Sequence, residues 1–115
     1  MSIYNELPVY KTTYDLLLEM FTFTKDFGKE YKYTVGESLK KETIELITLI
    51  YRANSRTDKQ AALQTAREHI EVIRLLIRLM HDMHQISLNR FVAVNIQVEN
   101  VSKQLAGWQR SQGRK

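Results

Sequence analysis

The stretch from Ala61 to Gln85, AALQTAREHIEVIRLLIRLMHDMHQ, constrains the fold more than any other. Ala66, Ile70, Ile73, Ile77, Met80 and His84 follow one another in steps of four and three, which is a helical seam at the heptad period. Val72, Leu76, Leu79 and Met83 make a second seam beside it. Two seams need cover on two sides, so this helix is expected to pack within its own chain and against a second copy. A third stripe holds Arg67, Arg74, Arg78 and His81, which at roughly 100° per residue fall within about 60° of one another. Glu71 lies in the same stripe, so part of it reads equally well as a surface ion-pair ladder of small energetic weight.

The flanking sequence supplies three further helices. Pro8 suits a first helical turn, where its missing N–H costs nothing. From there to Phe27, Tyr10, Tyr14, Leu17 and Phe21, with Leu18 and Phe23, predict an aromatic-rich packing face, and Gly28 predicts the stop. Thr34 and Glu37 have the spacing of a capping box. They predict a second helix to about Ala53, with Leu39, Leu46 and Ile50 inward and Ile44, Ile47 and Tyr51 beside them. Thr57 and Gln60 repeat that spacing before the central helix. Ser87 is a good N-cap for a fourth helix. There Phe91, Val94, Val98, Val101, Leu105 and Trp108 form the stripe, broadened by Val92 and Ile96. No segment alternates with period two, so strands are not expected. The expected fold is all-α, an antiparallel up-down-up-down four-helix bundle over residues 8–111, with a flexible N-terminus at 1–7 and a basic tail at 112–115.

Charge and composition narrow the function. The apolar share of 43% and charged share of 26% are those of an ordinary globular domain. All 13 acidic residues precede position 101, whereas Lys103, Arg110, Arg114 and Lys115 follow it, so the net charge of +4 resides at the C-terminal end. A polyanion would meet that end first. Zero cysteines exclude disulfides, thiolate metal sites and cysteine nucleophiles. The opening MSIYNELPVY lacks the basic-then-apolar pattern of a signal peptide, and no run is long enough to span a membrane. A cytoplasmic location is expected. His81 and His84 share a helix side, but di-iron bundles need Glu three residues before His, and those places hold Ala66, Arg78 and His81. His84 is expected half-buried at the end of its seam. No Gly-rich phosphate loop or nucleophile elbow is present, so no catalysis, cofactor or metal is expected.

The opening ELPVYKTTYDLLLEMF, the IRLLIRLM of the central helix and the closing VSKQLAGWQR with GRK resemble a group of small bacterial four-helix proteins. That group includes proteins encoded in intervening sequences of 23S ribosomal RNA genes and the accessory variability determinant of diversity-generating retroelements. Intervening-sequence members tend to carry a PANIAEG-like phrase at the end of helix two. Here that place reads ELITLIYRANS, which favours the retroelement branch. The resemblance implies a barrel-like homopentamer without enzymatic activity. It would bind a reverse transcriptase and template RNA or complementary DNA in support of mutagenic retrohoming. The Arg-x-x-x-Arg pair of such proteins corresponds to Arg74 and Arg78; spacing and charge add Arg67, Lys103, Arg110, Arg114 and Lys115. An intervening-sequence-type protein and a pure protein-interaction module remain open beside that reading.

Overall fold

The structure, a computed structural model, describes residues 7–113. The expectations for residues 1–6, Arg114 and Lys115 lie outside it. Helix α1 spans Pro8–Phe23, followed by a 3-10 turn at Thr24–Asp26 and the single-turn α2 at Lys29–Lys32. The long helices α3 (Val35–Ser55), α4 (Gln60–Asp82) and α5 (Leu88–Gly113) complete the chain. Helix α1 packs on α3, α3 on α4, α4 on α5, and α5 closes back on α1. The result is a four-helix bundle of 47 × 22 × 20 Å in which the α1/α3 pair and the α4/α5 pair form opposite sides. Among the described residues there are no strands, and no helix is long and apolar enough to cross a membrane.

The central seam forms as expected: Ala66, Ile70, Ile73, Ile77 and Met80 are fully buried between Leu39, Leu46 and Ile50 of α3 and Val94, Val98, Val101 and Leu105 of α5. The inward side of α1 differs from the expectation. Val9, Thr13, Leu16, Met20 and Phe23 face the core, whereas Tyr14, Leu18 and Phe21 face out. Thr13 can be buried because its hydroxyl donates to the Val9 carbonyl at 2.7 Å, leaving its methyl to pack. Val92 and Ile96 likewise do not broaden the α5 core stripe; they are exposed on its outer side, as are Ile44 and Tyr51 on α3.

Several expected caps are replaced. Thr34 makes no capping bond to α3; its hydroxyl donates to the Glu30 carbonyl of the preceding turn. Thr57 does not cap α4 either: Lys59 occupies the N-cap, and Asp58 accepts from the Gln60 N–H at 3.1 Å. The Lys59 ammonium reaches back to the Ala53 carbonyl at 2.7 Å, where a cation suits the orphan carbonyls ending α3. Ser87 does cap α5, accepting from the Arg90 N–H at 3.2 Å. Gly28 is not the stop of α1, which ends at Phe23. It precedes α2 with φ −56° and donates its N–H to the Gln85 Oε1 at 2.7 Å, tying the first connector to the end of α4.

His84 is neither on the seam nor half-buried. Helix α4 ends at Asp82, and His84 is exposed with φ 62°. Its N–H bonds the His81 carbonyl at 3.0 Å, and the Gln85 N–H bonds the Met80 carbonyl at 2.8 Å. That pair of bonds is a Schellman motif with His84 at the left-handed C′ position, the place glycine usually takes. The turn reverses the chain before the seam reaches residue 84.

Candidate nucleic-acid interface

The arginine stripe of α4 divides into paired and unpaired members. Arg74 lies toward α5 and is held between Glu71, at 3.2 Å on its own helix, and Glu99 of α5. It is an interhelical strut with a third of its side chain exposed. Arg78 is 70% exposed and pairs with Asp82 at 3.3 Å, one turn on. Such an exposed pair is worth a fraction of a kcal/mol and exchanges readily for a phosphate. Arg67 has no carboxylate partner among the described residues; its Nη1 donates to the Gln109 side chain of α5 at 2.6 Å. His81, the fourth member, is turned inward and stacks on Phe91 at 4.1 Å between ring centres.

The topology collects cations that the sequence scatters. The start of α1, the end of α3, the start of α4 and the end of α5 lie at one end of the bundle. Arg52 and Arg56 at the close of α3 share that end with Arg67 and Arg110, and Lys103 lies two turns inward from Arg110. All five side chains are exposed, and among the described residues none has an ion-pair partner. Arg74, Arg78 and Arg90, nearer the other end, are all paired. The unpaired arginines among the described residues are thus gathered at one end rather than along the stripe, while Lys25, Lys29, Lys32 and Lys41, also without an ion pair there, lie toward the other. Arg52 and Arg56 escape a reading of the sequence because they sit in a separate segment with acids nearby. Their signal is the expected antiparallel topology, which returns the end of helix two to the start of helix three.

Apolar side chains border the charged surface. Val72, Leu75, Leu79 and Met83 form an exposed arc on the outer side of α4, and Leu88, Val92 and Ile96 line the outer side of α5. Leu75 and Ile96 are each 65% exposed. A shallow depression between the two helices is lined by Arg74, Leu75, Arg78, Phe91, Asn95 and Glu99. On the opposite side of the bundle Tyr14, Leu18, Phe21, Ile44 and Tyr51 are open, with the Lys40 ammonium over the Phe21 ring at 5.2 Å. Each of these sides exceeds the scattered apolar exposure that needs no explanation.

Metal-ligating chemistry falls elsewhere than at His81 and His84. Glu42 and Glu45 of α3 meet His69 of α4. The sequence hid this cluster because its histidine and its carboxylates lie on different helices.

A family model described as bAvd-like matches residues 8–112, from the first turn of α1 almost to the end of α5. No curated protein matches the chain.

Proposed function

The chain belongs to the bAvd-like family, and from that premise we propose that it is a non-enzymatic accessory protein of a diversity-generating retroelement. In this reading it assembles as a homo-oligomer, a pentamer by the family resemblance. It binds the element's reverse transcriptase together with template RNA or complementary DNA, and so supports mutagenic retrohoming in the cytoplasm. The observation that carries the nucleic-acid part is the basic pole. Arg52, Arg56, Arg67 and Arg110 converge there without ion-pair partners among the described residues, with Lys103 two turns inward on α5; Arg114 and Lys115 follow in the sequence. Arg74 and Arg78 extend this surface along α4, exchanging Glu71, Glu99 and Asp82 for phosphate as a polyanion arrives.

The physical mechanism is multiplication. One subunit offers a modest number of guanidinium groups, enough for weak, salt-sensitive contact by counterion release without sequence readout. Copies held side by side with their basic ends aligned form a rim, and a flexible strand touching several subunits gains by effective concentration. The two uncovered apolar sides support such assembly. An isologous dimer covers one side and leaves the other in water, whereas head-to-tail contact covers both and closes as a ring when the rotation between copies divides a full turn.

The test is binding of a structured RNA and of single-stranded DNA across a salt series. Replacing Arg67 and Arg110 together by alanine is expected to weaken binding and to flatten the slope of log K against log salt by about 0.7–0.9 per lost phosphate contact. Helicity and oligomeric mass stay unchanged. Equal affinity and slope for both proteins would remove the basic pole from the function and favour a pure protein-interaction module.

A further inference from the structure

On the side of the bundle where α3 meets α4, Glu42, Glu45 and His69 form a group that the proposed function does not use. The two glutamates stand one helical turn apart on α3, and the histidine faces them from α4. Nδ1 of His69 is against the Glu42 carboxylate, and Nε2 is 3.5 Å from the Glu45 carboxylate. The side chains of Glu42, Glu45 and His69 are 23%, 45% and 19% exposed, so all three are partly withdrawn from water.

Two features set this group apart from a surface ion pair. First, neither glutamate has a lysine or arginine partner among the described residues, unlike Asp15, Glu19, Glu37, Glu71, Asp82 and Glu99. Two negative charges are met by at most one positive. Second, neutral imidazole carries a single N–H. Whichever nitrogen lacks the proton then turns a lone pair toward a carboxylate oxygen, and the contact is repulsive until a cation enters it.

We propose that Glu42, Glu45 and His69 hold one zinc-class dication, bridging α3 and α4. One ligand atom from each residue lies within 4.8 Å of the others. Metal–ligand bonds are about 2.0–2.2 Å, so the two carboxylates, which face different ring nitrogens here, must close by side-chain rotation onto one of them. A mixed nitrogen and oxygen set suits Zn²⁺ and its neighbours over Mg²⁺ or Ca²⁺, which take oxygen ligands and more of them. The ring nitrogen that does not ligate keeps its proton. Three protein ligands leave water in the fourth position. Val72, at the edge of the open apolar arc, is one turn beyond His69, so the ion would set the α3–α4 spacing beside that surface.

The experiment is calorimetric titration of the untagged full-length chain with zinc chloride, and with magnesium chloride for comparison. Saturable binding of one Zn²⁺ per chain is expected, with no comparable Mg²⁺ isotherm. Affinity should fall when the pH is lowered by about two units, because protons compete for the ligands. Glu42→Gln and His69→Ala should each weaken binding by at least about tenfold, while a His81→Ala/His84→Ala double variant binds as wild type. Circular dichroism checks the helicity of each variant. Nitrogen-detected spectra of the wild-type histidine rings keep the test valid should a variant misfold: zinc must shift His69 and leave His81 and His84 in place. The absence of saturable zinc binding, undiminished binding by His69→Ala in a folded protein, or a zinc shift confined to His81 and His84 would each overturn the site. In the first case the group is a proton-bridged clamp only.

Discussion

Replacing Leu75 and Ile96 together by glutamate tests whether the open side of α4 and α5 is an assembly surface. Both side chains are 65% exposed in the single chain. Fully burying a leucine or isoleucine is worth about 1.5–3 kcal/mol, so covering the remaining two-thirds is worth about 1–2 kcal/mol for each. Losing both costs about 2–4 kcal/mol per contact, roughly 30- to 1,000-fold in association, before the desolvation of two carboxylates is added. In a ring the loss recurs at every contact. The fold should survive, because substitutions at such exposed positions change protomer stability by about 0.5 kcal/mol or less. Size-exclusion chromatography with light scattering is expected to show an oligomer for the wild type and a folded monomer for Leu75→Glu/Ile96→Glu. Leu18→Glu/Phe21→Glu damages the opposite side and should also give a monomer. Mixed in equal amounts, the two variants should form a one-to-one dimer that grows no further, since each still presents the side the other needs. If either variant dimerises alone through its intact side, the contact is isologous and the head-to-tail reasoning fails. Wild-type mass for Leu75→Glu/Ile96→Glu would also refute it.

Three further outcomes follow from the protomer itself, best measured in the monomeric Leu75→Glu/Ile96→Glu background, where assembly does not contribute to melting. His84→Gly should stabilise. A left-handed residue with a Cβ costs about 1–2 kcal/mol, and the backbone entropy of glycine returns about 0.5–1 of that. The net of up to about 1.5 kcal/mol raises the melting temperature by up to about 6–9 °C; a lower value would deny the left-handed C′ assignment. Met20→Ala should cost about 2–5 kcal/mol in denaturant melts, and Phe21→Ala about 1–2 kcal/mol, since Met20 is fully buried and Phe21 only about half covered; the reverse order would mean that α1 is rotated in its groove. Arg74→Met should change stability by about 1 kcal/mol or less while lowering nucleic-acid affinity less than Arg67→Ala/Arg110→Ala does. A larger fall for Arg74→Met than for that pair would return the stripe, rather than the pole, to the centre of the binding surface.

The helices of this bundle were legible in the sequence, and the orientation of α1 was not, for a reason that bears on assembly. Along α4, isoleucines at alternating steps of three and four leave one choice of inward face, and that face is buried. Along α1, two apolar stripes compete. The one with the larger aromatic area is Tyr10, Tyr14, Leu17 and Phe21, but the core takes Val9, Thr13, Leu16, Met20 and Phe23. Periodicity ranks stripes by apolar content and discounts Thr13, whose hydroxyl is satisfied within its own helix. It also cannot separate a stripe buried by folding from one buried by association, because both come from the same residue types.

The charged surface was unreadable for a different reason. Arg67, Arg74 and Arg78 are equivalent by spacing, and what separates them is the partner each meets across α5: Gln109 for Arg67, Glu99 for Arg74, and for Arg78 none from that helix. Those partners are fixed by the relative register of two helices, a quantity that no period within α4 contains. The same register brings His69 to Glu42 and Glu45, and the same topology brings Arg52 and Arg56 to the end where Arg67 and Arg110 stand. The discrepancies therefore share a direction. Side chains that the sequence suggested for the interior, Tyr14, Leu18, Phe21, Val92 and Ile96, lie on two opposite outer sides, and the unpaired arginines lie at an end perpendicular to both. Contact through the two sides leaves that end free, so a chain arranged this way can associate with its copies without covering those arginines.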